Sequence, residues 1–166
     1  YWSRQLLNIL CVRLDAQVVD GQRGSLIVAN HISWLDIYAL NAVRPMVFVA
    51  KAEVRHWPLI GWLAAKSGTV FLRRGSRGHA KVVNTQIDGL LDAGKDVAIF
   101  PEGTTSDGTH LLNFHGALLQ PAVETGRPVL PVAISYYDVD GCRSLVPVYA
   151  GETTLGESLK AILACR

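Results

Sequence analysis

The sequence predicts an α/β fold, a mixed but largely parallel sheet flanked by helices, on three observations. Short apolar runs bounded by Gly, Pro or Asn recur along the chain. They are apolar throughout rather than alternating, as in strands buried on both faces. Stretches of helical spacing fall between them, and strand–helix alternation favours a parallel sheet in an α/β sandwich.

The strands are expected at 26–29, 46–50, 69–72, 97–100 and 129–134. The first helix is expected at 33–43. A second, 53–66, is interrupted by Pro58, which removes a donor and clashes with the preceding turn. A third, 77–93, carries Val82, Val83, Ile87, Leu90 and Leu91 at helical spacing, with Gly94 where a C-cap belongs. A fourth, 114–125, ends in Gly126, and Thr154 with Glu157 reads as a capping box opening the last helix.

The 166 residues fit a single domain spanning 1–166. Charged residues are 18%, below the ~25% of an average globular chain, which argues against disorder. Net charge is only +2, but residues 51–81 hold seven basic side chains against the single acid Glu53. The remaining nine basic residues face thirteen acids. A local basic field of this kind suits an anionic partner. Cys11, Cys142 and Cys165 show neither a metal spacing nor a disulfide framework, so a reducing compartment is expected. No run of 18 apolar residues is present. The chain opens without Met and stops just after an apolar stretch, so it reads as a piece of a longer protein whose N-terminal membrane anchor lies elsewhere.

Sites in such sheets form at the carboxyl ends of strands, and two polar clusters fall there. The first runs from Asn30 through His31 and Ser33 to Asp36, a His-x4-Asp spacing. Histidine titrates near neutrality and can take a proton from an alcohol, and a carboxylate on its other ring nitrogen would fix the tautomer. Five positions on one helix span roughly 500°, so His31 is expected before the helix and Asp36 in its first turns, reaching back. The same residues also read as a helix start, with Asn30 or Ser33 as N-cap and Asp36 as a dipole-favoured acid. No Gly-x-Ser-x-Gly elbow accompanies the pair. The base would then activate a hydroxyl on the substrate, with direct transfer and no acyl-enzyme.

The second cluster is Phe100-Pro101-Glu102-Gly103-Thr104, where Glu102 has few evident structural duties beyond capping a turn. Two weaker signals join these. The run from Gly68 delivers Arg73 and Arg74 at a strand end, suited to phosphate or to a solvated surface loop. Leu130-Pro131-Val132 puts a proline in a strand, as at an edge or bulge.

Together, Asn30-His31 with Asp36, Gly68 to Arg74, Phe100 to Thr104 and Leu130-Pro131-Val132 resemble, in order and spacing, the four blocks of the glycerolipid acyltransferase family of the PlsC type. The likeness covers roughly positions 25–135. It implies a glycerol-3-phosphate acyltransferase-like αβ sandwich and transfer of a fatty acyl group to a lysolipid hydroxyl. His31 would be the general base, with Asp36 orienting it. Arg74 would meet an acceptor phosphate, Glu102, Gly103 and Thr104 would form the acceptor site, and Pro131 would lie on the acyl side. Asn30, Ser33, Arg73 and Thr105 are secondary candidates. The donor would be acyl-coenzyme A or acyl-carrier protein, with no bound cofactor.

Two departures bear on the acceptor. Thr105 stands where the family often has Arg, and His115 where many relatives have Lys. The acceptor is expected to be a lysolipid of the lysophosphatidic acid or lyso-ornithine lipid type, and the two departures favour a headgroup less anionic than lysophosphatidate. Trp57 and Trp62 lie inside the basic segment and suit a surface dipping into anionic headgroups, though two core tryptophans would give the same pattern. The expected location is the cytoplasmic face of a bacterial inner membrane. His31, His56, His79, His110 and His115 fit no metal-ligand pattern, so no metal is expected. A thioester hydrolase and a non-catalytic lipid-binding module are the competing classes. Nucleic-acid binding lacks stacking positions or a motif.

Overall fold

The structure, a computed structural model, describes residues 2–17, 23–57, 60–73 and 77–165. Its five strands are β1 (Leu26–Ala29), β2 (Val47–Lys51), β3 (Val70–Leu72), β4 (Val97–Ile99) and β5 (Val129–Val132). The helices are α1 (Trp2–Ile9), α2 (Leu35–Val43), α3 (Ile60–Lys66), α4 (Arg77–Asp92), α5 (Gln120–Thr125) and α6 (Leu155–Ala164). Short 3-10 turns cover Ala52–His56 and Gly116–Leu118.

The sheet order is β3-β2-β4-β1-β5. Every ladder among the described strands is parallel, for example Leu26 opposite Val97 and Val28 opposite Pro131. Among the described residues, the antiparallel share of the expected mixed sheet reduces to one isolated bridge, Tyr137 with Arg143.

Continuous apolarity has the expected cause. Leu26 and Val28 pack on one face with Val83, Ile87 and Leu91 of α4. Ile27 and Ala29 pack on the other with Leu40 of α2 and Phe48. All four β1 residues are therefore buried. A third cluster joins Leu7, Leu10, Leu35, Ala42 and Ile162, seating α1 and α6 against α2.

Element ends differ from the sequence expectation for identifiable reasons. The 33–43 helix starts at Leu35, because the Ser33 N–H is held by the Asp36 carboxylate. The 53–66 helix divides into a 3-10 turn and α3, with Trp57 extended between them. Pro58 itself lies outside the described residues. The 114–125 helix loses its start, since the His115 N–H donates to the Pro101 carbonyl, and α5 begins with Pro121 in its first turn. Gly126 is left-handed at φ 64°, as its C-cap position requires. The 129–134 strand stops at Val132, because Ile134 gives both backbone groups to the Asn30 side chain. Helix α1 has no counterpart in the expected elements. The capping box at Thr154 and Glu157 is formed.

Candidate active site

Parallel pairing carries the chain after β1, β4 and β5, three adjacent strands, to one end of the sheet. Asn30-His31, Phe100 to Gly103, and Ile134 to Tyr136 therefore converge there. The Asn30 amide clasps the β5 exit, donating to the Ile134 carbonyl at 3.0 Å and accepting the Ile134 N–H at 2.7 Å.

His31 precedes α2 and Asp36 lies in its first turn. The His31 Nδ1 to Asp36 Oδ2 distance is 2.8 Å. Asp36 is fully buried, and Oδ2 also accepts the N–H groups of Ile32 at 2.7 Å and Ser33 at 2.9 Å. Oδ1 accepts the Tyr136 hydroxyl at 2.6 Å. A buried carboxylate is costly unless its lone pairs are met, and four donors meet these. A carboxylate acceptor takes its hydrogen from Nδ1, so in the neutral imidazole the His31 hydrogen sits on Nδ1 and the lone pair on Nε2. Nε2 has no protein partner among the described residues.

The imidazole is held on its flat side too. It stacks on Phe100 at 3.9 Å between centroids and 13° between planes, and Phe100 in turn stacks on Phe48. Glu102 holds the main chain: Oε1 accepts the His31 N–H and Oε2 the Leu112 N–H, each at 3.0 Å. Only 4% of Glu102 is exposed. The expectation that Glu102 has few structural duties is thus corrected. Its carboxylate braces the His31 main chain and the loop at Leu112 at once. The Ser106 N–H closes the same corner on the His31 carbonyl at 2.8 Å.

Around the centre, Gly103 is left-handed at φ 66°, Thr104 is exposed, and the Thr105 hydroxyl donates to the Tyr149 carbonyl. Ser33 accepts the Leu35 N–H with its hydroxyl at 3.2 Å. Pro131 is exposed in edge strand β5, where its missing N–H interrupts nothing on the outer side. Arg73 is exposed at the end of β3, on the far side of β2 and β4 from His31. Arg74 lies outside the described residues. The structure therefore gathers Asn30, His31, Ser33, Asp36, Glu102 and Gly103 at one corner and leaves Arg73 apart. Sequence reasoning missed Phe100 as the stacking partner and Tyr136 altogether. A hydrophobic residue before Pro-Glu-Gly signals the first only weakly, and no local signal marks the second, 100 positions from its carboxylate.

A family model described as Acyltransferase matches residues 11–135. The chain belongs to this acyltransferase family. It is 45% identical over 165 residues to a lyso-ornithine lipid O-acyltransferase of Pseudomonas aeruginosa, covering 97% of this chain and 63% of that protein. It is 46% identical over 127 residues to a 1-acyl-sn-glycerol-3-phosphate acyltransferase of Neisseria gonorrhoeae, covering 76% of this chain and 50% of that one. Among solved structures, the acyltransferase PlsC from Thermotoga maritima aligns with a TM-score of 0.62 at 31% identity, over 78% of this chain and 53% of the other. The chain thus spans between half and two thirds of the length of these curated relatives. The α/β sheet expected from the sequence is the acyltransferase architecture, and the PlsC-type resemblance holds. The matched range contains His31, Asp36, Glu102 and Pro131 and ends one residue before Tyr136. Among the described residues no helix is long and apolar enough to cross a membrane.

Proposed function

We propose that this acyltransferase-family chain carries out O-acyl transfer at a membrane surface, moving a fatty acyl group from a thioester to the hydroxyl of a lysolipid. The observation that carries the reading is the His31 Nδ1 contact to buried Asp36, with Nε2 left unpartnered among the described residues. In this mechanism Nε2 takes the acceptor O–H proton as the oxygen attacks the thioester carbonyl carbon. The new C–O bond forms, the tetrahedral intermediate collapses, and the C–S bond breaks. The departing thiolate recovers the proton from the imidazolium, which Asp36 stabilises throughout. The donor is acyl-coenzyme A or acyl-carrier protein.

The acceptor is a lysolipid less anionic than lysophosphatidate, of the lyso-ornithine type. Two observations support this. Thr105 offers no cation and its hydroxyl is turned to the Tyr149 carbonyl. The similarity to the Pseudomonas lyso-ornithine lipid O-acyltransferase also runs over 97% of the chain. The membrane-facing surface includes Trp57 and Trp62, 43% and 60% exposed, beside Arg55 and Lys66. These rings are outside the core, so their apolar area is available to an interface. The proposed location is the cytoplasmic side of a bacterial inner membrane, where acyl thioesters are available.

The test measures thiol release by the full-length protein from both donors, with and without a lysolipid panel, for wild type and His31→Ala. Release that needs a lysolipid and disappears in His31→Ala is the expected result. Release without acceptor would make the protein a hydrolase. No release from a folded wild type with any donor would leave a lipid-binding module. A strong preference for lysophosphatidate would overturn the acceptor assignment alone.

A further inference from the structure

We propose that Tyr136 is a positioning residue for the His31–Asp36 pair, its hydroxyl fixing the Asp36 carboxylate so that Oδ2 faces the imidazole. This rests on the acyltransferase reading above and extends it to a residue outside the matched family range.

The need for such a residue follows from the carboxylate itself. Rotation about an aspartate's terminal sp³–sp² torsion is soft, so the backbone alone does not set which oxygen meets a partner. In Asp36, Oδ2 collects His31 and the N–H groups of Ile32 and Ser33. Those three donors sit at one oxygen and leave the carboxylate free to pivot about it. The Tyr136 hydroxyl at 2.6 Å anchors the other oxygen, and two anchored oxygens define the plane. Without that donor, Oδ1 would be a buried, unmet acceptor, and the group would turn to find another partner.

Tyr136 is suited to a donor's role. Burial, then the adjacent Asp36 charge, push its phenol far above the ordinary tyrosine range, against a smaller downward pull from the Ser33 hydroxyl. The hydroxyl therefore stays protonated across any working pH. Its backbone is also placed by the site: the Asn30 amide clasps Ile134, two residues earlier, and the Tyr136 carbonyl accepts the Ser144 N–H at 3.0 Å. The ring packs in the cluster with Leu35 and Trp34 at the start of α2. One side chain at the end of β1 thus sets where the β5 exit passes, and that exit returns a hydroxyl to the carboxylate behind the base. Small misplacements of a reacting group cost large factors in rate, which gives this bond kinetic weight.

The experiment compares full-length wild type, Tyr136→Phe, Asp36→Asn and the double variant in detergent micelles. Tyr136→Phe keeps the ring and deletes only the hydroxyl. The expected result is a ten- to hundredfold fall in kcat with both KM values within twofold. The double variant should be no slower than Asp36→Asn alone, because Tyr136 acts through that carboxylate. A second readout does not require turnover: the low-field proton resonance of the His31 Nδ1–H, identified by its loss in His31→Ala, should move in Tyr136→Phe. An unchanged kcat with an unmoved resonance would overturn the proposal. So would kcat and KM changing together with an unmoved resonance, which is the mark of packing alone. If wild type transfers no acyl group, the activity proposed above fails separately, and the resonance still decides Tyr136: displaced upholds it, unmoved sinks it.

Discussion

The centre of the sheet and its β2–β3 edge are built to different ends. Strands β1 and β4 are buried at every position, whereas β2 and β3 are mostly half-buried and β2 ends on exposed Lys51. At the centre, three buried carboxylates are each answered: Asp36 by four donors, Glu102 by two backbone N–H groups, Asp96 by Arg44 and the Ser25 N–H. Toward the edge, charge is displayed to solvent, as at Lys51, Arg55, Lys66 and Arg73, and Arg55 lies over the Phe71 ring at 5.6 Å. On the function proposed above, the contrast separates two jobs. A carboxylate that must hold a base at one angle belongs where the dielectric is low and nothing moves. A surface that meets many lipid headgroups gains from long, solvated cations.

The contrast can be broken or sharpened by substitution. The largest effect is expected for Asp36→Asn, which removes the charge and sets a donating NH2 where one of the two accepting oxygens stood. Transfer should slow by about 10³–10⁴-fold, roughly 4–5 kcal/mol, in the thiol-release assay. A near-wild-type rate would remove the centre's claim to the chemistry. Next, Ile99→Ala in fully buried β4 should cost about 2–5 kcal/mol in denaturant unfolding. Val49→Ala in half-buried β2 should cost about 1 kcal/mol. Equal losses would erase the distinction between centre and edge. Glu102→Gln turns one of two acceptors into a donor facing an N–H, so a loss of about 1–3 kcal/mol is expected from the same unfolding curves.

A control away from both regions is Thr154→Ala at the start of α6, expected to cost about 1 kcal/mol. Its partner Glu157 is held below the ordinary carboxylate range, chiefly by the Thr154 backbone N–H and then by its hydroxyl. A folded value below the unfolded one means that this stabilisation is present at neutral pH and disappears as pH falls through the folded value. The Thr154→Ala penalty measured by thermal melts should therefore shrink in acid. The smallest stability change is expected at the edge: Trp62→Ala within about 0.5 kcal/mol, since the ring is 60% exposed. Combined with Trp57→Ala it should still weaken co-sedimentation with anionic vesicles. Undiminished binding would take the membrane role away from this edge.

The sheet was legible because a strand buried on both faces has to be apolar throughout, and Leu26 to Ala29 or Val97 to Ile99 allow little else. The His31–Asp36 relation was legible for a geometric reason. At that spacing Asp36 reaches His31 only if the helix starts between them, and it starts at Leu35. Element ends were less legible, because side chains far away decide them. Nothing near residue 134 announces that Asn30 will take both of its backbone groups, and nothing near 115 announces the Pro101 carbonyl. Tyr136 was hidden for the same reason, as one aromatic in a run of Ser-Tyr-Tyr whose partner lies on another layer. Glu102 was visible as unusual but not in its use, since its partners are main-chain donors that leave no trace in sequence.

That last property has an evolutionary reading. Ile32 and Ser33 serve the Asp36 carboxylate with their amide hydrogens, which nineteen of the twenty amino acids possess. So far as this bonding is concerned, drift at those two positions is neutral with one exception. Proline at 32 or 33 would delete a donor outright, so it is the single residue type these two bonds close to a lineage, while the buried Ile32 and Ser33 side chains answer to packing and to the Leu35 N–H instead.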